Sequence, residues 1–258
     1  MAMQNIFNPR LVSVTVEINS FCNRKCTNCP NHDNVRPIEF MESDLFYKIV
    51  DELTEMKYDG RFSFNLFNEP MLDKRLAEFV SYIKKKLPSV ITNLNTNGDL
   101  LNRNTWLNLR SSGLDSAIIS QYDGKLNKNI INLLDEISDN ERKHMFVRVF
   151  DMERDGNSVG GLIKVNKSIR LPLRSSCWRP FHQLCVNYKG KVPLCCVDYF
   201  SSIELGDLCS QSIMEIWKGM KFAYYRSWLM ARTRDFINLC RVCDTSQVDI
   251  PDLPMKLD

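Results

Sequence analysis

Three cysteines in one short loop constrain this chain more than any other feature. Cys22, Cys26 and Cys29 have the spacing C-x3-C-x2-C and directly follow a strand-like segment, Leu11 to Ile18. Three thiolates this close together can hold three irons of a [4Fe-4S] cube, which leaves the fourth iron without a protein ligand. An open metal position is where a substrate or cofactor can coordinate. The alternatives are buried free thiols or a zinc loop, for which only His32 offers a nearby fourth ligand.

The bulk composition narrows the class of protein. The chain has 258 residues, ten cysteines, 44% hydrophobic residues and a formal charge of +3. No apolar run approaches the ~20 residues that span a bilayer, and the N-terminus lacks the features of a secretory signal. We therefore expect a soluble cytoplasmic protein, in which cysteines are metal ligands or catalytic thiols rather than disulfides. The small net charge does not indicate a nucleic-acid partner.

Strand-like and helical patterns alternate over the first 150 residues. The strand candidates are Leu11–Ile18, Arg61–Phe67, Val90–Asn95, Ser116–Ser120 and Met145–Phe150. The helical candidates are Met41–Met56, Asp73–Lys86, Asn104–Ser111 and Leu126–Ser138. This alternation predicts βαβ units and an α/β fold with a parallel sheet. Active sites on such sheets gather at the C-terminal ends of the strands, and Cys22 lies just past one of these ends.

The alternation stops after Phe150. A turn-rich segment, 155–161, follows, and we predict a first domain over 1–160 and a second over 161–258. In the second domain, Val186 to Leu194 predicts a hairpin. Two short helices are expected beyond it, over Ser212–Lys218 and Lys221–Arg232.

A second cysteine set lies in this C-terminal region. Cys177, Cys195, Cys240 and Cys243 are candidate ligands of one site, in which the C-x2-C pair binds a single metal or cluster. A structural zinc site with four thiolates is one interpretation. Cys196 adjoins Cys195 and could replace it as ligand or present a free thiol. Cys185 and Cys209, like Cys196, are otherwise expected to be small buried hydrophobic side chains.

The two cysteine sets resemble those of the radical S-adenosylmethionine (radical SAM) superfamily. The loop from Asn19 to Pro30 resembles its signature, although Asn28 stands where an aromatic residue is usual. The region from Cys177 to Cys243 resembles the SPASM/twitch extension of these enzymes. The resemblance implies a partial (β/α) barrel of about five to six parallel strands, followed by a small cysteine-rich twitch domain with a β-hairpin and helices. It also implies SAM on the open iron and an auxiliary [4Fe-4S] cluster held by four cysteines.

Polar residues after the later strands are candidate SAM and substrate contacts. Phe67-Asn68-Glu69-Pro70 resembles the family's Gly-Gly-Glu motif, with Asn68 in place of glycine. The candidate SAM contacts are Asn68, Glu69, Asn95, Asn97, Gln121 and Arg148. The candidate catalytic residues are Cys196, Arg148 and Asp198. The corresponding structural interpretations are a strand-to-helix turn for Asn68 and Glu69, a surface salt bridge for Arg148 and packing for Asp198.

The resemblance extends over nearly the whole chain to twitch-type radical SAM dehydrogenases of natural-product biosynthesis. It implies oxidation of a carbinol carbon in a sugar- or cyclitol-like small molecule, with a flavodoxin- or ferredoxin-type protein as electron donor. An arginine that contacts substrate in such an enzyme is replaced here by Val159, before Gly160-Gly161. The alternatives are a radical epimerase with a cysteine hydrogen donor, a peptide-modifying radical SAM enzyme, and a non-enzymatic iron–sulfur or zinc scaffold.

Overall fold

A six-stranded parallel sheet organises the molecule. The computed structural model describes residues 8–33, 36–165 and 169–245. Six strands in the order β5-β4-β3-β2-β1-β6 form the main sheet, and two more pair antiparallel. The strands are β1 Ser13–Val16, β2 Arg61–Ser63, β3 Ile91–Thr96, β4 Ser116–Gln121, β5 Met145–Val149, β6 Gln183–Val186, β7 Lys191–Pro193 and β8 Glu204–Asp207. All five strands expected from the first 150 residues are present.

Helices follow the first four strands of the sheet along the chain. The α-helices of the described residues are α1 Ser43–Glu55, α2 Leu76–Lys86, α3 Arg103–Ser111, α4 Lys128–Glu136, α5 Asp139–Arg142, α6 Met152–Asp155, α7 Arg179–His182, α8 Ile213–Trp217, α9 Met220–Met230 and α10 Asn238–Arg241, of which α1 to α5 follow the first four strands. Each predicted helical segment is confirmed, within a few residues at its ends. Strand–helix alternation around a parallel sheet gives the α/β partial barrel.

The strands have two chemically different faces. Alternate side chains point to opposite faces of a strand. Val14, Val16, Phe62, Phe64 and Leu94 belong to the hydrophobic core. The residues that alternate with them along the strands line a cavity inside the barrel. These residues are Ser13, Thr15, Arg61, Ser63, Asn93 and Asn95. The barrel interior is therefore hydrophilic, whereas barrel interiors are commonly filled with branched apolar side chains.

The sixth strand comes from the C-terminal region. The predicted hairpin over Val186 to Leu194 is wrong in its pairing, although a tight turn does follow Val186, with Gly190 N donating to Asn187 O over 2.9 Å. Strand β6 pairs in parallel with β1, and β7 pairs with β8 instead. The division at residue 160 stays a prediction, but the sheet itself extends beyond it. Among the described residues, no helix is both long and apolar enough to cross a membrane.

Candidate active site

The first cysteine loop opens into a cavity at the C-terminal ends of the strands. Cys22, Cys26 and Cys29 all line this cavity, which has a volume of about 270 Å³. A turn inside the loop is closed by Cys29 N, which donates to Cys26 O over 3.0 Å. The structure thus brings the three predicted thiols to the rim where the strand ends meet.

Ion pairs fasten this loop to neighbouring strands. The Arg24 guanidinium donates from Nε to Asp99 Oδ2 (2.7 Å) and from Nη2 to Asp99 Oδ1 (2.5 Å). Its Nη1 donates to Asp123 Oδ2 over 3.1 Å. Asn23 Nδ2 also donates to Asp99, over 2.8 Å. Because Asp99 follows β3 and Asp123 follows β4, the cysteine loop is held against the ends of both strands.

The thiols of this loop suit cationic ligands. Burial raises the pKa of Cys22, Cys26 and Cys29, and the charge of Cys22 raises the pKa of Cys26 and Cys29 further. The pKa of Cys26 reaches about 11 because of burial and of Cys29 and Cys22. Thiolates held this close repel one another unless a cation compensates them, and a metal deprotonates a coordinating thiol outright. The donor set therefore fits iron, with Cys22, Cys26 and Cys29 as the groups that would hold it.

A buried carboxylate lies under the same cavity. Glu69 Oε1 accepts from Thr96 Oγ1 (2.8 Å) and Glu69 Oε2 accepts from Asn97 N (2.8 Å). Burial raises the pKa of Glu69 despite these donors. Asn97 Nδ2 in turn donates to Asn23 Oδ1 over 2.8 Å. This network joins the ends of β2 and β3 to the cysteine loop.

The other predicted SAM contacts divide into two groups. Asn68, Asn95 and Arg148 line the cavity. Asn68 also closes its own turn, since its Nδ2 donates to Phe64 O over 3.2 Å. Arg148 Nε donates to Ser120 Oγ over 3.0 Å. Gln121 lies behind the rim and bridges two backbone groups, donating to Asn97 O (2.8 Å) and accepting from Asn127 N (2.7 Å).

A second, larger cavity of about 570 Å³ occupies the barrel interior. It shares Asn65, Phe67, Asn95 and Val159, among other residues, with the first cavity. The two cavities are therefore adjacent. Cys196 lines the interior cavity, and Cys22, Cys26 and Cys29 line the first one.

The second cysteine set also comes together. Cys195 and Cys243 are buried in one small cluster with Val159. Burial raises the pKa of Cys240 to about 12, with contributions from Cys177 and Cys243. Within the described residues, no three Cys, His, Asp or Glu side chains could hold a single metal ion. A four-iron cube binds each cysteine through a separate iron, so its ligands do not have to converge on one point.

The remaining candidates occupy distinct environments. Cys196 faces the interior cavity and its Sγ accepts from Arg179 Nη1 over 3.0 Å. Asp198 closes a turn: its carboxylate accepts from Ser202 N (2.8 Å) and Ile203 N (2.9 Å). Cys185 is buried and Cys209 is exposed. Asp198 is not among the described residues that line either cavity.

Several lining residues were missed at the sequence level. They include Ser63, Asn65, Asn93 and Gln183. The signal was present, because polar residues alternate with core residues in Ser13-Val14-Thr15-Val16, in Arg61-Phe62-Ser63-Phe64-Asn65 and in Asn93-Leu94-Asn95. Strand alternation with a polar face is usually interpreted as solvent exposure, but on the concave side of a partial barrel the polar face can line an internal site.

Comparisons with known proteins agree with this geometry. Residues 177–244 match the SPASM family, described as an iron–sulfur cluster-binding domain. The chain is 27% identical over 239 residues to S-adenosyl-L-methionine-dependent 2-deoxy-scyllo-inosamine dehydrogenase of Niallia circulans. That alignment covers 91% of this chain and 93% of the relative.

Solved structures are similar over the same extent. The crystal structure of BtrN in complex with AdoMet and 2-DOIA superposes with a TM-score of 0.84 at 26% identity, covering 93% of this chain and 96% of that chain. The structure of polyhistidine-tagged anSMEcpe with bound AdoMet shares the fold, with a TM-score of 0.58 at 14% identity. It covers 91% of this chain and 89% of that chain.

The fold, the cysteine loop at the strand ends and the C-terminal match define a radical SAM enzyme with a SPASM-type iron–sulfur domain. The comparisons together support a radical SAM, dehydrogenase-like oxidoreductase. Over nearly its whole length it resembles 2-deoxy-scyllo-inosamine dehydrogenase.

Proposed function

We propose that this enzyme oxidises a secondary alcohol of a sugar- or cyclitol-like small molecule to a ketone, in natural-product biosynthesis. The observation that supports this reaction best is that the two cavities are adjacent and share lining residues. The first cysteine loop lines one of them, and Cys196, next to Cys195 in the sequence, lines the other. Oxidation of CHOH to C=O removes two hydrogens in total, and the proposed sites for both one-electron steps adjoin these neighbouring cavities.

The proposed cofactor ligands follow from this arrangement. Cys22, Cys26 and Cys29 would hold a [4Fe-4S] cluster with one open iron for SAM. The proposed ligands of an auxiliary [4Fe-4S] cluster are Cys177, Cys195, Cys240 and Cys243. Burial of Cys195 beside Cys243 favours Cys195 over Cys196 as the fourth ligand. When bound, these groups supply a 5'-deoxyadenosyl radical that takes a hydrogen atom and an acceptor for the remaining electron.

The protein's own residues bind and orient. Asn95, Asn97 and the backbone at Asn68 offer amide and carbonyl groups to SAM, and Arg148 offers a guanidinium to its carboxylate. Glu69 and Gln121 would act on SAM indirectly, because their hydrogen bonds to the Asn97 backbone hold that residue in place. Arg148 and Cys196 adjoin the space in which the substrate hydroxyl would lose its proton.

The test of the proposed chemistry is anaerobic release of 5'-deoxyadenosine from SAM after reduction. The enzyme with reconstituted clusters is expected to release it, and Cys22→Ala is expected to abolish release because the cluster loses a ligand. Cys209→Ala is the matched control, since Cys209 is exposed and apart from both cavities. Equal release by the Cys22→Ala variant would contradict the radical mechanism.

One observation favours a radical epimerase as the second candidate. Cys196 presents a thiol to the interior cavity, where it could return a hydrogen atom to a substrate radical. The two functions differ in their dependence on this thiol. A dehydrogenase with Cys196→Ala is expected to keep forming ketone, whereas an epimerase would stop turning over while retaining about eight irons per chain in two four-iron clusters.

A further inference from the structure

The interior cavity has a charge pattern that alcohol oxidation alone does not require. Among its described lining residues are two arginines, Arg61 and Arg179, and no Asp or Glu. The uncharged polar part of the wall is formed by Ser13, Thr15, Ser63, Asn65, Asn93 and Asn95. A positive field inside a partly enclosed cavity attracts anions and repels cations.

Arg179 contributes a guanidinium group to the wall of this cavity. It begins α7 and is half-buried, and its Nη1 donates to Cys196 Sγ over 3.0 Å. A guanidinium has five N–H donors in a fork that matches a carboxylate or a phosphate. One of these donors is directed at Cys196. Because Arg179 lines the cavity, an anionic ligand there could pair with its guanidinium.

Hydroxyl and amide groups also line this wall. Ser13, Thr15 and Ser63 contribute hydroxyl groups, and Asn65, Asn93 and Asn95 contribute amides. Both kinds of group donate and accept hydrogen bonds. The wall therefore fits a ligand that carries several hydroxyl groups.

We propose that the barrel interior binds a hydroxylated ring that carries a carboxylate or a phosphate. Its anionic group pairs with Arg179, and its hydroxyl groups form hydrogen bonds with the serine, threonine and asparagine side chains of the wall. This inference rests on the proposed function for the reaction and adds the charge of the substrate. An amino-substituted ring fits the interior cavity poorly, because its ammonium would lie near Arg61 and Arg179, whereas the lining carboxylates, Glu69 and Asp155, belong to the first cavity.

Arg179 also lies near the second cysteine set, which offers a competing explanation for its charge. Its pKa is raised first by Cys196 and also by Cys195 and Cys177. If it serves only to neutralise bound thiolates, its loss will affect cluster retention and leave ligand preference unchanged. Iron content must therefore be measured beside ligand binding in each variant.

The test is calorimetric titration of the cluster-loaded enzyme with four matched probes. D-glucose, D-glucuronate, D-glucose 6-phosphate and D-glucosamine share one ring and differ in charge. At least one anionic probe is expected to bind about tenfold or more tightly than D-glucose, which is about 1.4 kcal/mol. The better of the two distinguishes a carboxylate from a phosphate. The proposal is wrong if D-glucosamine or D-glucose binds as tightly, or if neither anionic probe binds.

Variants assign the preference to Arg179. Arg179→Gln is expected to remove the tenfold preference, and Arg179→Lys to retain most of it. Arg174→Gln is the matched control, because Arg174 is exposed and pairs with Asp235. If Arg179→Gln lowers iron content but preserves the preference per loaded chain, Arg179 serves the cluster and the proposal fails. Arg61→Gln gives a second measurement if Arg179→Gln does not load; an unchanged preference there would also count against it.

These titrations do not depend on SAM cleavage. A protein that binds the anionic probes but releases no 5'-deoxyadenosine would retain the substrate inference and lose the proposed reaction. A protein that releases 5'-deoxyadenosine but prefers neutral or amino rings would retain the reaction and lose the inference.

Discussion

At the scale of single residues, the ion pair between Arg24 and Asp99 has a clear role. Arg24 lies between two of the loop cysteines, and both of its contacts to Asp99 are short. The pKa of Asp99 lies below its ordinary value, chiefly because of the hydrogen bond from Arg24. The folded state thus prefers the charged carboxylate more than the unfolded state does. That preference stabilises the fold above the unfolded pKa and is lost as the pH falls through the lower folded pKa.

We expect Asp99→Asn to lower the free energy of unfolding at pH 7 by about 1 kcal/mol, the upper range for a partly exposed pair. The difference from wild type should shrink as the pH falls below about 4, the unfolded pKa of Asp. Urea denaturation of the metal-free chain at several pH values measures this, because metal binding is itself pH-dependent. Asp59→Asn, which removes an exposed pair with Arg10, should change little. A constant difference at all pH values would contradict the assignment.

Val159 shows what a single replacement does to the site. The resemblance places an arginine here, but the valine packs with Cys195 and Cys243 and lines both cavities. Its φ of 44° is unusual for a β-branched residue. An apolar side chain at this point cannot provide the polar contact that an arginine would make, so the interior cavity depends on other residues for its charge.

At the scale of secondary-structure elements, the sequence predicted more of the helices and strands than of their pairing. Helix α1 was predicted within a few residues of its ends, because apolar residues at helical spacing are a local signal; its buried residues are Phe46, Ile49, Val50 and Leu53. The pairing of β6 with β1 joins segments about 170 residues apart, and no local signal encodes it. Likewise, the positions of Gln121 and Asp198 depend on turns whose hydrogen bonds close only in the folded chain.

The connection between the first cysteine loop and the C-terminal region depends on a buried ion pair. Arg36 Nη1 and Nη2 donate to the two oxygens of Glu17, each over 2.9 Å. Its guanidinium lies 4.3 Å from the centre of the Tyr199 ring. Tyr199 OH donates to Asn31 Oδ1 over 2.9 Å. Three segments distant in sequence thus meet at one arginine.

We expect Arg36→Leu to lower the free energy of unfolding by about 3 kcal/mol or more, because it leaves the Glu17 carboxylate buried and unpaired. Chemical denaturation of the purified chain measures the loss. The double variant Glu17→Gln with Arg36→Leu removes the unpaired charge and should recover part of it. If the double variant is less stable than Arg36→Leu by the full cost of a second independent change, the two residues are not coupled.

At the scale of the whole molecule, the two cysteine regions meet at one sheet and at two adjacent cavities. Strand β6 contributes the edge of the sheet beside β1, and the cavity wall combines strand residues with Arg179 and Cys196. Neither region can therefore build the complete cavity by itself. The cysteine spacings could be recognised in the sequence, but this joint wall required the three-dimensional arrangement.

A chain ending at residue 160 tests this dependence. Without β6, the hydrogen-bonding edge of β1 is exposed, and exposed edges promote aggregation. We expect the shortened chain to be insoluble or to elute as large aggregates in size-exclusion chromatography, whereas the full chain elutes as a defined species. A monodisperse shortened chain with intact helical circular dichroism would show that the first 160 residues fold independently.

The late arrival of β6 has a consequence during synthesis on the ribosome. Strand β1, which leads into the first cysteine loop, is translated early. It pairs with β2 on one side and with β6 on the other, and β6 begins only at Gln183. Contacts between distant segments form slowly because a long loop must first close. Until most of the chain has left the ribosome, β1 therefore has no partner strand on one side. Chaperones that shield such an edge, and iron delivery timed after its closure, would favour production of the intact enzyme.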